Sequence, residues 1–383
     1  MSALAAGHLG TDFANGALPA LLPFLKDEFS LSYTLAAVVM LASTASSSLV
    51  QPLFGLWSDR RGALWLLPAG VGVAGVGIGL AAAMPSYWLV CLLVVISGLG
   101  VAAFHPEGSK FAAYTSGEKR ASGMSAFSIG GNIGYALGPI VATPLVIWLG
   151  LSGGVLLALP CVAIAAMLLI LTPFLRTFEP KQGTRREASG EDRPGALVLL
   201  LGVVAFRSLA WFGLITFVPL YEVSLGHSAS HGNHLLSLML LAGGLGTIAA
   251  GPIADRVGRR PVLIASLALA APLILVFITV GGAVGAVALC GVGICVIGTF
   301  GVTMVMSQEY LPRHIGTASG LSIGLSIGLG GIAAVALGAL ADTVDLQAAL
   351  YVCAAAPIAG LVLTLLLPPT RARRSLEPEV AVS

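Results

Sequence analysis

Ionisable residues inside long apolar stretches are the part of this sequence that could do chemistry. His8 stands one helical turn before Asp12, and Asn15 follows nearly one turn later, so the three side chains share one helical face. Arg207 lies midway along another apolar stretch, at nearly the same distance from a following proline as Asp12. A charge in the middle of a bilayer costs about 2.5–3.5 kcal/mol, and chains keep it where it lines a cavity, forms an ion pair or carries protons.

A second group is the string FHPE at residues 104–107, near the end of another apolar stretch. Histidine titrates near neutral pH and an adjacent carboxylate shifts its pKa, so His105 and Glu107 could form a proton relay. The alternative is an interfacial cap, in which Glu107 stays close to water beside Lys110. The residues alone leave both interpretations open.

A third group, Gln308 and Glu309, ends a late apolar stretch. We expect Glu309 to make a gating contact with Arg313 or with an arginine of a neighbouring loop. A solvated helix end that carries no gating role is the alternative.

Composition identifies the apolar stretches as membrane helices. Of the 383 residues, 57% are hydrophobic and 9% are charged, whereas ordinary soluble proteins have about 25% charged residues. A spanning helix needs about 20 mostly apolar residues. Twelve such runs are predicted, at residues 2–25, 33–57, 64–84, 86–109, 120–148, 151–175, 195–222, 233–254, 260–281, 283–311, 315–340 and 346–368.

The Lys and Arg residues predict the orientation of these runs. With the N-terminus inside, all but two of the 19 fall in inner loops or in the C-terminal tail. Lys26 lies outside and Arg207 lies within a run, so both termini are predicted to be cytoplasmic. The predicted division is a six-helix bundle at 1–175, a polar cytoplasmic linker at 176–194, a second six-helix bundle at 195–368 and a cytoplasmic tail at 369–383.

Two polar loops repeat each other half a chain apart. Residues 55–62 read GLWSDRRG and residues 251–260 read GPIADRVGRR, with Gly, Asp, Arg and Gly at the same spacing. The triplet ASG at 121–123 recurs at 318–320 with nearly the same offset. A near-constant offset over several helices indicates duplicated six-helix halves, which bind substrate at their interface near the bilayer midplane.

Small residues line the fifth run at helical spacing. Ser122, Ala126, Gly130, Gly134 and Gly138 fall on one face, and the eleventh run carries a similar stripe. Such faces let helix backbones approach closely in lipid, so we predict a tightly packed helix pair there.

The repeated G-x-x-x-D-R-x-G-R-R pattern resembles the loops after the second and eighth helices of major facilitator superfamily transporters. The second copy matches fully, whereas Ala63 and Leu64 replace the basic pair in the first. The His-x-x-x-Asp of the first run, the FHPE string and QEYLP at 308–312 are similar to the fosmidomycin-resistance branch of drug:proton antiporters. The resemblance covers nearly the whole chain. It implies an all-α membrane protein with twelve transmembrane helices in two pseudo-symmetric six-helix bundles.

In that fold the first and seventh helices face each other across a central cavity, so Asp12 and Arg207 are expected to line it and to pair in some states. A permanent structural ion pair is the alternative. The implied activity is proton-coupled export of small anionic or amphiphilic compounds by alternating access. The expected substrate contacts are Asp12, Asn15, Gln51, Asn132, Arg207, Trp211 and Phe212; the expected proton-coupling residues are His8, Asp12, His105 and Glu107; the expected gating residues are Gly55, Asp59, Arg60, Gly251, Asp255, Arg256, Arg259, Glu309 and Arg313.

No nucleotide-binding pattern is present, so a proton gradient, without a cofactor, is the predicted energy source. The predicted partners are a small-molecule substrate, protons and the lipid bilayer, without nucleic acid. We expect a monomer in a bacterial inner (cytoplasmic) membrane.

Other interpretations use the same residues. A proton symporter that imports an organic anion or metabolite is the nearest alternative. An intramembrane enzyme or a sensor explains less, because no nucleophile–base set converges by spacing. No metal site is predicted, since the loop with His227, His231 and His234 offers little beyond imidazole and the five cysteines lie in apolar runs.

Overall fold

The computed structural model describes residues 1–61, 63–116, 120–178 and 191–368, without the side chains of 59–61, 120–122, 315–317, 319–320, 323 and 325. These residues form fourteen α-helices and two 3-10 helices, Leu151–Leu157 and Pro312–His314. The α-helices are α1 (Ser2–Glu28), α2 (Tyr33–Leu49), α3 (Gln51–Arg61), α4 (Leu66–Ala82), α5 (Tyr87–Ser116), α6 (Arg120–Leu149), α7 (Ala158–Arg176), α8 (Pro194–Ser224), α9 (Ala229–Val257), α10 (Arg259–Val280), α11 (Gly282–Gly298), α12 (Phe300–Tyr310), α13 (Ile315–Thr343) and α14 (Leu346–Leu366).

Local sequence explains where several helices begin. The side chains of Ser32, Ser228 and Asp345 accept hydrogen bonds from backbone amides in the first turns of α2, α9 and α14. These amides have no partner inside the helix, and an N-cap side chain satisfies one of them. Gly258 joins α9 to α10 with a φ of 96°, a conformation that other residues rarely adopt.

Two predicted runs are interrupted. The second run breaks at Val50, and the next helix carries Pro52, which has no backbone N–H, in its first turn. The tenth run breaks at Thr299, whose hydroxyl donates a hydrogen bond of 3.0 Å to the Cys295 carbonyl and competes with the helix ladder.

Within the described residues, ten helices are long and apolar enough to cross a membrane, and Leu66–Ala82 is a shorter apolar helix. α1 has 27 residues but is not among the ten, and its sequence carries His8, Asp12 and Asn15 within the helix as well as charged residues at its C-terminal end. The all-helical membrane architecture is therefore confirmed. The count of twelve spans and the cytoplasmic termini stay predictions.

Helices α1–α7 pack mainly on one another, and so do α8–α14. The two groups meet where α2 packs on α13 and α6 packs on α9, with α1 also contacting α8 and α9. α1 and α6 form the most extensive helix pair. The small-residue face predicted for the fifth run explains it: a methyl group at Gly130, Gly134 or Gly138 would overlap the backbone of α1.

Polar contacts between the two groups gather at one end of the molecule, which we call the turn end because it holds the α1–α2 turn. There the Asp342 carboxylate accepts hydrogen bonds from the backbone amides of Tyr33 (2.7 Å) and Thr34 (2.9 Å). The buried Asn233 amide donates to the Ala20 carbonyl (3.0 Å) and the Thr143 hydroxyl (2.9 Å). Towards the opposite end, apolar side chains of both groups are exposed, among them Leu49, Leu53, Leu245 and Ile248.

The α1–α6 contact generates a stability prediction. Gly134→Ala places a methyl group against the Leu9 carbonyl, and overpacking of this kind costs about 1–3 kcal/mol. We expect a lower midpoint of thermal unfolding for the purified protein in detergent. Gly301→Ala is the matched control, because it adds the same methyl group to a helix with nothing within 4 Å. Equal midpoints for the two variants would contradict the packing described.

Candidate functional site

Three ionisable side chains meet where α1, α5 and α6 come together. Asp12 lies between two imidazoles, with His8 Nε2 at 3.2 Å from Oδ2 and His105 Nε2 at 3.3 Å from Oδ1. The two imidazole rings stand edge to face with centroids 5.1 Å apart. The side chain of Asp12 is only 17% exposed, and each of its oxygens lies beside one imidazole nitrogen. We call these three residues the central triad.

Backbone carbonyl oxygens contact the second ring nitrogen, Nδ1, of both imidazoles. His8 Nδ1 lies 2.8 Å from the Phe127 carbonyl oxygen, and His105 Nδ1 lies 3.0 Å from the Val101 carbonyl oxygen. The Phe127 ring also stacks on His8 with a centroid distance of 4.1 Å. Gly131 leaves space for the triad, because a methyl group there would lie 2.6 Å from His8 Nε2 and 2.7 Å from Asp12 Oδ2.

Asn15 is at the site, since its Nδ2 donates a hydrogen bond of 3.4 Å to Asp12 Oδ1. Arg207 is elsewhere: it is 4% exposed, and its guanidinium lies 5.4 Å from the centroid of the Phe300 ring. Among the described residues Arg207 makes no ion pair, and its Nη1 has no hydrogen-bond partner. In this conformation Asp12 pairs with histidines and not with Arg207, so a permanent Asp12–Arg207 pair is wrong.

The other expected substrate contacts separate into two sets. Trp211 and Asn132 face the other helix group: the Trp211 ring lies 6.3 Å from that of Tyr135 on α6, and Asn132 packs against Gly244 on α9. Phe212 is 7% exposed and packs against Gly330 on α13, inside its own group. Because Phe212 is buried in the core of its own group, it does not form the expected wall of a substrate cavity in this conformation. Gln51 is partly exposed at the start of α3.

Glu107 does not join His105. Its carboxylate is completely buried and contacts the Ser58 hydroxyl and Lys110 Nζ, the latter at 2.8 Å. Its Oε1 has no hydrogen-bond partner among the described residues. The pairing with Lys110 that the cap interpretation predicted is present, but the expected exposure to water is wrong. Glu107 is therefore part of a buried polar contact between α3 and α5.

Two of the predicted gating residues, Glu309 and Asp255, both contact a third, Arg259. Glu309 Oε1 lies 2.9 Å from Arg259 Nη1, so its partner is a loop arginine and not Arg313, and both belong to the α8–α14 group. Asp255, 74% exposed, lies 3.6 Å from the same guanidinium. The side chains of Asp59 and Arg60 lie outside the described residues. Of the remaining predicted residues, Gly55 packs near Pro106, Gly251 and Arg256 are exposed, and Arg313 donates its amide to Asp192.

Asp192 stands before α8, outside the membrane-spanning helices. Desolvation raises its pKa, but the hydrogen bond from the Arg313 amide (3.1 Å) and the neighbouring His314 (2.7 Å) together outweigh it. The pKa of Asp192 is thus below its ordinary value. The contact ties the segment before α8 to the α12–α13 turn.

Four residues of the sites escaped the sequence analysis. Phe127 and Tyr135 lie beside the small-residue face of α6. Because that face packs on α1, the side chains next to it must also lie close to α1, so the face could have identified these two residues. Ser58 stands inside the repeated loop motif without matching it. Glu222 ends α8 and lies 2.5 Å from His227 Nδ1 and 3.5 Å from His231 Nε2, so the expectation that this loop offers little beyond imidazole is wrong.

Comparisons with known proteins agree with this architecture. A family model described as Major Facilitator Superfamily matches residues 4–335 and 200–381. The chain is 33% identical over 373 residues to an uncharacterized MFS-type transporter, YfnC, of Bacillus subtilis (strain 168), covering 94% of this chain and 90% of that protein. It is 30% identical over 380 residues to the fosmidomycin resistance protein of Escherichia coli (strain K12), covering 97% and 93%.

A solved structure has the same fold. A bacterial homolog of the human lysosomal transporter Spinster, in an inward-facing and occupied conformation, superposes with a TM-score of 0.79 at 15% identity, covering 95% of each chain.

The buried contact of Glu107 generates a second prediction. Lys110→Met leaves a buried carboxylate without its cation, and breaking such a pair costs about 3 kcal/mol or more. The double variant Glu107→Gln/Lys110→Met should recover part of that loss, because it removes both charges. A double-mutant cycle on the free energy of unfolding measures the coupling, and strictly additive losses would contradict it. If Glu107 relays protons, the stable double variant should also fail to transport.

Proposed function

The chain belongs to the major facilitator superfamily, and we propose that it is a proton-coupled secondary active transporter that exports small anionic or amphiphilic compounds. The observation that carries the proposal is Asp12 held between two imidazoles where three helices meet. The similarity to the fosmidomycin resistance protein supports export as the direction and a phosphonate as the substrate class.

The central triad can hold and release a proton. Each imidazole Nδ1 faces a carbonyl oxygen, of Phe127 or Val101, which only accepts hydrogen bonds, so each Nδ1 must carry a hydrogen. Each Nε2 faces an oxygen of Asp12. Both contacts are satisfied when His8 and His105 are protonated beside an ionised Asp12, or when one of these protons lies on Asp12.

Loss of one proton breaks this arrangement. One Nε2 lone pair would then face a carboxyl oxygen, and a buried polar contact without its hydrogen is costly. The geometry therefore favours the proton-loaded triad, and proton release from His105 weakens the contact that joins α1 to α5. This link couples protonation to helix position, which is what a proton-driven transporter needs.

Arg207 supplies the binding charge for an anion. Its guanidinium is buried and makes no ion pair among the described residues, so an anionic substrate would satisfy it with charge-assisted hydrogen bonds. The cation–π contact with the Phe300 ring stabilises the guanidinium, but Nη1 still has no hydrogen-bond acceptor among the described residues. Trp211, one turn further along α8, adds an aromatic wall that also suits amphiphilic compounds.

Alternating access follows from the two helix groups. We propose twelve spans with both termini cytoplasmic in a bacterial inner membrane, and two bundles, 1–175 and 195–368, that rock about the site. The turn end, joined by Asp342 and Asn233, would then face the periplasm, and the conformation described here would open to the cytoplasm. A monomer suffices, because the chain itself contributes every part of the site.

Asp12→Asn tests proton coupling. Purified protein in liposomes with an acidic interior should accumulate labelled fosmidomycin, chemically unchanged, and lose it when a protonophore collapses the pH gradient. In the Asp12→Asn variant we expect gradient-driven accumulation to fall to the level of empty liposomes, because an amide cannot replace the titrating carboxyl group. Asp27→Asn, an exposed change on the same helix, should transport normally.

Other outcomes would identify the competing functions. Normal accumulation by Asp12→Asn removes the central triad from the mechanism. Accumulation only when the exterior is acidic indicates a symporter, and recovery of a converted compound indicates an enzyme.

Arg207→Gln tests anion recognition. A hydrogen bond to a charged group contributes about 1.5–3 kcal/mol, so we expect the KM for fosmidomycin to rise about tenfold or more. Arg176→Gln removes an exposed arginine at the end of α7 and should leave KM unchanged. An unaltered KM in Arg207→Gln would exclude this guanidinium from the substrate site.

A further inference from the structure

A second cluster of ionisable side chains lies at the turn end, apart from the central triad. Glu222 near the end of α8, His227 in the following turn and His231 in the first turn of α9 place their ligand atoms within 4.8 Å of one another. We infer that these three residues form a binding site for Zn²⁺. The site belongs to the α8–α9 turn and does not depend on the proposed transport.

The donor set is chemically suited to zinc. Two imidazole nitrogens and one carboxylate oxygen are common zinc ligands, and three protein ligands leave a fourth position for water. Around a tetrahedral zinc with bonds of about 2.0–2.2 Å, ligand atoms lie about 3.3 Å apart. The separation of Glu222 Oε2 from His231 Nε2, 3.5 Å, fits this value, and that from His227 Nδ1, 2.5 Å, must open by less than 1 Å.

The three side chains differ in mobility, which allows the distance between Glu222 Oε2 and His227 Nδ1 to increase. The Glu222 side chain is 6% exposed and therefore fixed by its surroundings. The imidazoles of His227 and His231 are 52% and 49% exposed, so each ring can rotate towards an ion that arrives from solvent. A fixed carboxylate beside two movable imidazoles at the surface can capture an ion without rearrangement of the helices.

Local backbone structure holds the three positions together without an ion. Gly226 takes a φ of 88° after α8, and the His227 amide donates a hydrogen bond of 3.0 Å to the Glu222 carbonyl. Ser228 then caps α9 by accepting a hydrogen bond of 3.2 Å from the His231 amide. Gly232 lets the start of α9 pack on Pro219 of α8, where a methyl group would lie 2.9 Å from its backbone. The turn is thus built before an ion binds.

A Glu222–His227 hydrogen bond alone would explain one short contact but not the position of His231. The imidazole rings of His227 and His231 lie 4.8 Å apart, and both turn towards the same carboxylate oxygen. His234, one turn further along α9, is exposed and lies outside the cluster, which makes it a matched control.

Calorimetric titration of Zn²⁺ into the purified full-length protein in Mg²⁺-containing buffer tests the site. The central triad also has two histidines and a carboxylate, so the titration uses the His105→Asn background, which leaves one such cluster within the described part of the chain. We expect one equivalent of Zn²⁺ to bind. His231→Asn should weaken binding at least about tenfold, the scale on which metal sites respond even to loss of an outer-shell partner.

The control variants define the result. Glu222→Gln should weaken binding like His231→Asn, whereas His234→Asn should bind with unchanged affinity. Absence of Zn²⁺ binding, equal affinity in the parent and in His231→Asn, or an equal loss in His234→Asn would each overturn the assignment. His227→Asn and His231→Asn alter exposed side chains. A normal thermal unfolding midpoint without zinc would therefore show that any loss of Zn²⁺ affinity comes from the missing ligand and not from misfolding.

Discussion

The need to satisfy one partly buried carboxylate, that of Asp12, organises the centre of this structure. A carboxylate among apolar helices is costly unless hydrogen-bond donors surround it, and Asp12 obtains them from two imidazoles and the Asn15 amide. That requirement brings α5 against α1 through His105. It also requires α6 to approach without side-chain bulk, which Gly131 allows. The glycines of α6 therefore serve both the close α1–α6 packing and the polar site, with Gly131 facing the site and its neighbours facing the α1 backbone.

The two helix groups solve the problem of buried charge differently. In the first group, Glu107 finds Ser58 and Lys110. The residue that corresponds to Ser58 in the second copy of the loop motif is Ala254, which is 4% exposed and packs in an apolar core. In the second group two ionisable residues of α8 are buried: Arg207, which has no ion pair among the described residues, and Glu222, which lies beside His227 and His231. The two copies of the loop motif therefore lie in different surroundings, and the two groups place their buried charges at different positions.

The sequence predicted the helices well because length and apolarity decide membrane spans, and it predicted the α1–α6 pair because glycine spacing decides close approach. It predicted the His8–Asp12 contact because four residues make one helical turn. It associated His105 with Glu107 because they are near in sequence, but two residues on a helix point about 200° apart. Helical period alone therefore places Glu107 away from His105. The approach of His105 to Asp12 is a tertiary contact, and no local pattern encodes it.

Contacts within the first helix group are dominated by one closely packed pair, whereas contacts between the groups combine close packing with hydrogen bonds. α1 and α6 interlock through glycines whose replacement would cause backbone overlap, so this pair cannot slide without losing its packing. At the turn end the groups are joined by the Asp342 carboxylate on the first amides of α2, by the Asn233 amide and by Gly338, which packs on the backbone of Tyr33 and Thr34. Such hydrogen bonds can be exchanged for bonds to water at small net cost. Exchange of these hydrogen bonds for water would leave Gly338 as a packing contact that still holds the two groups together at this end.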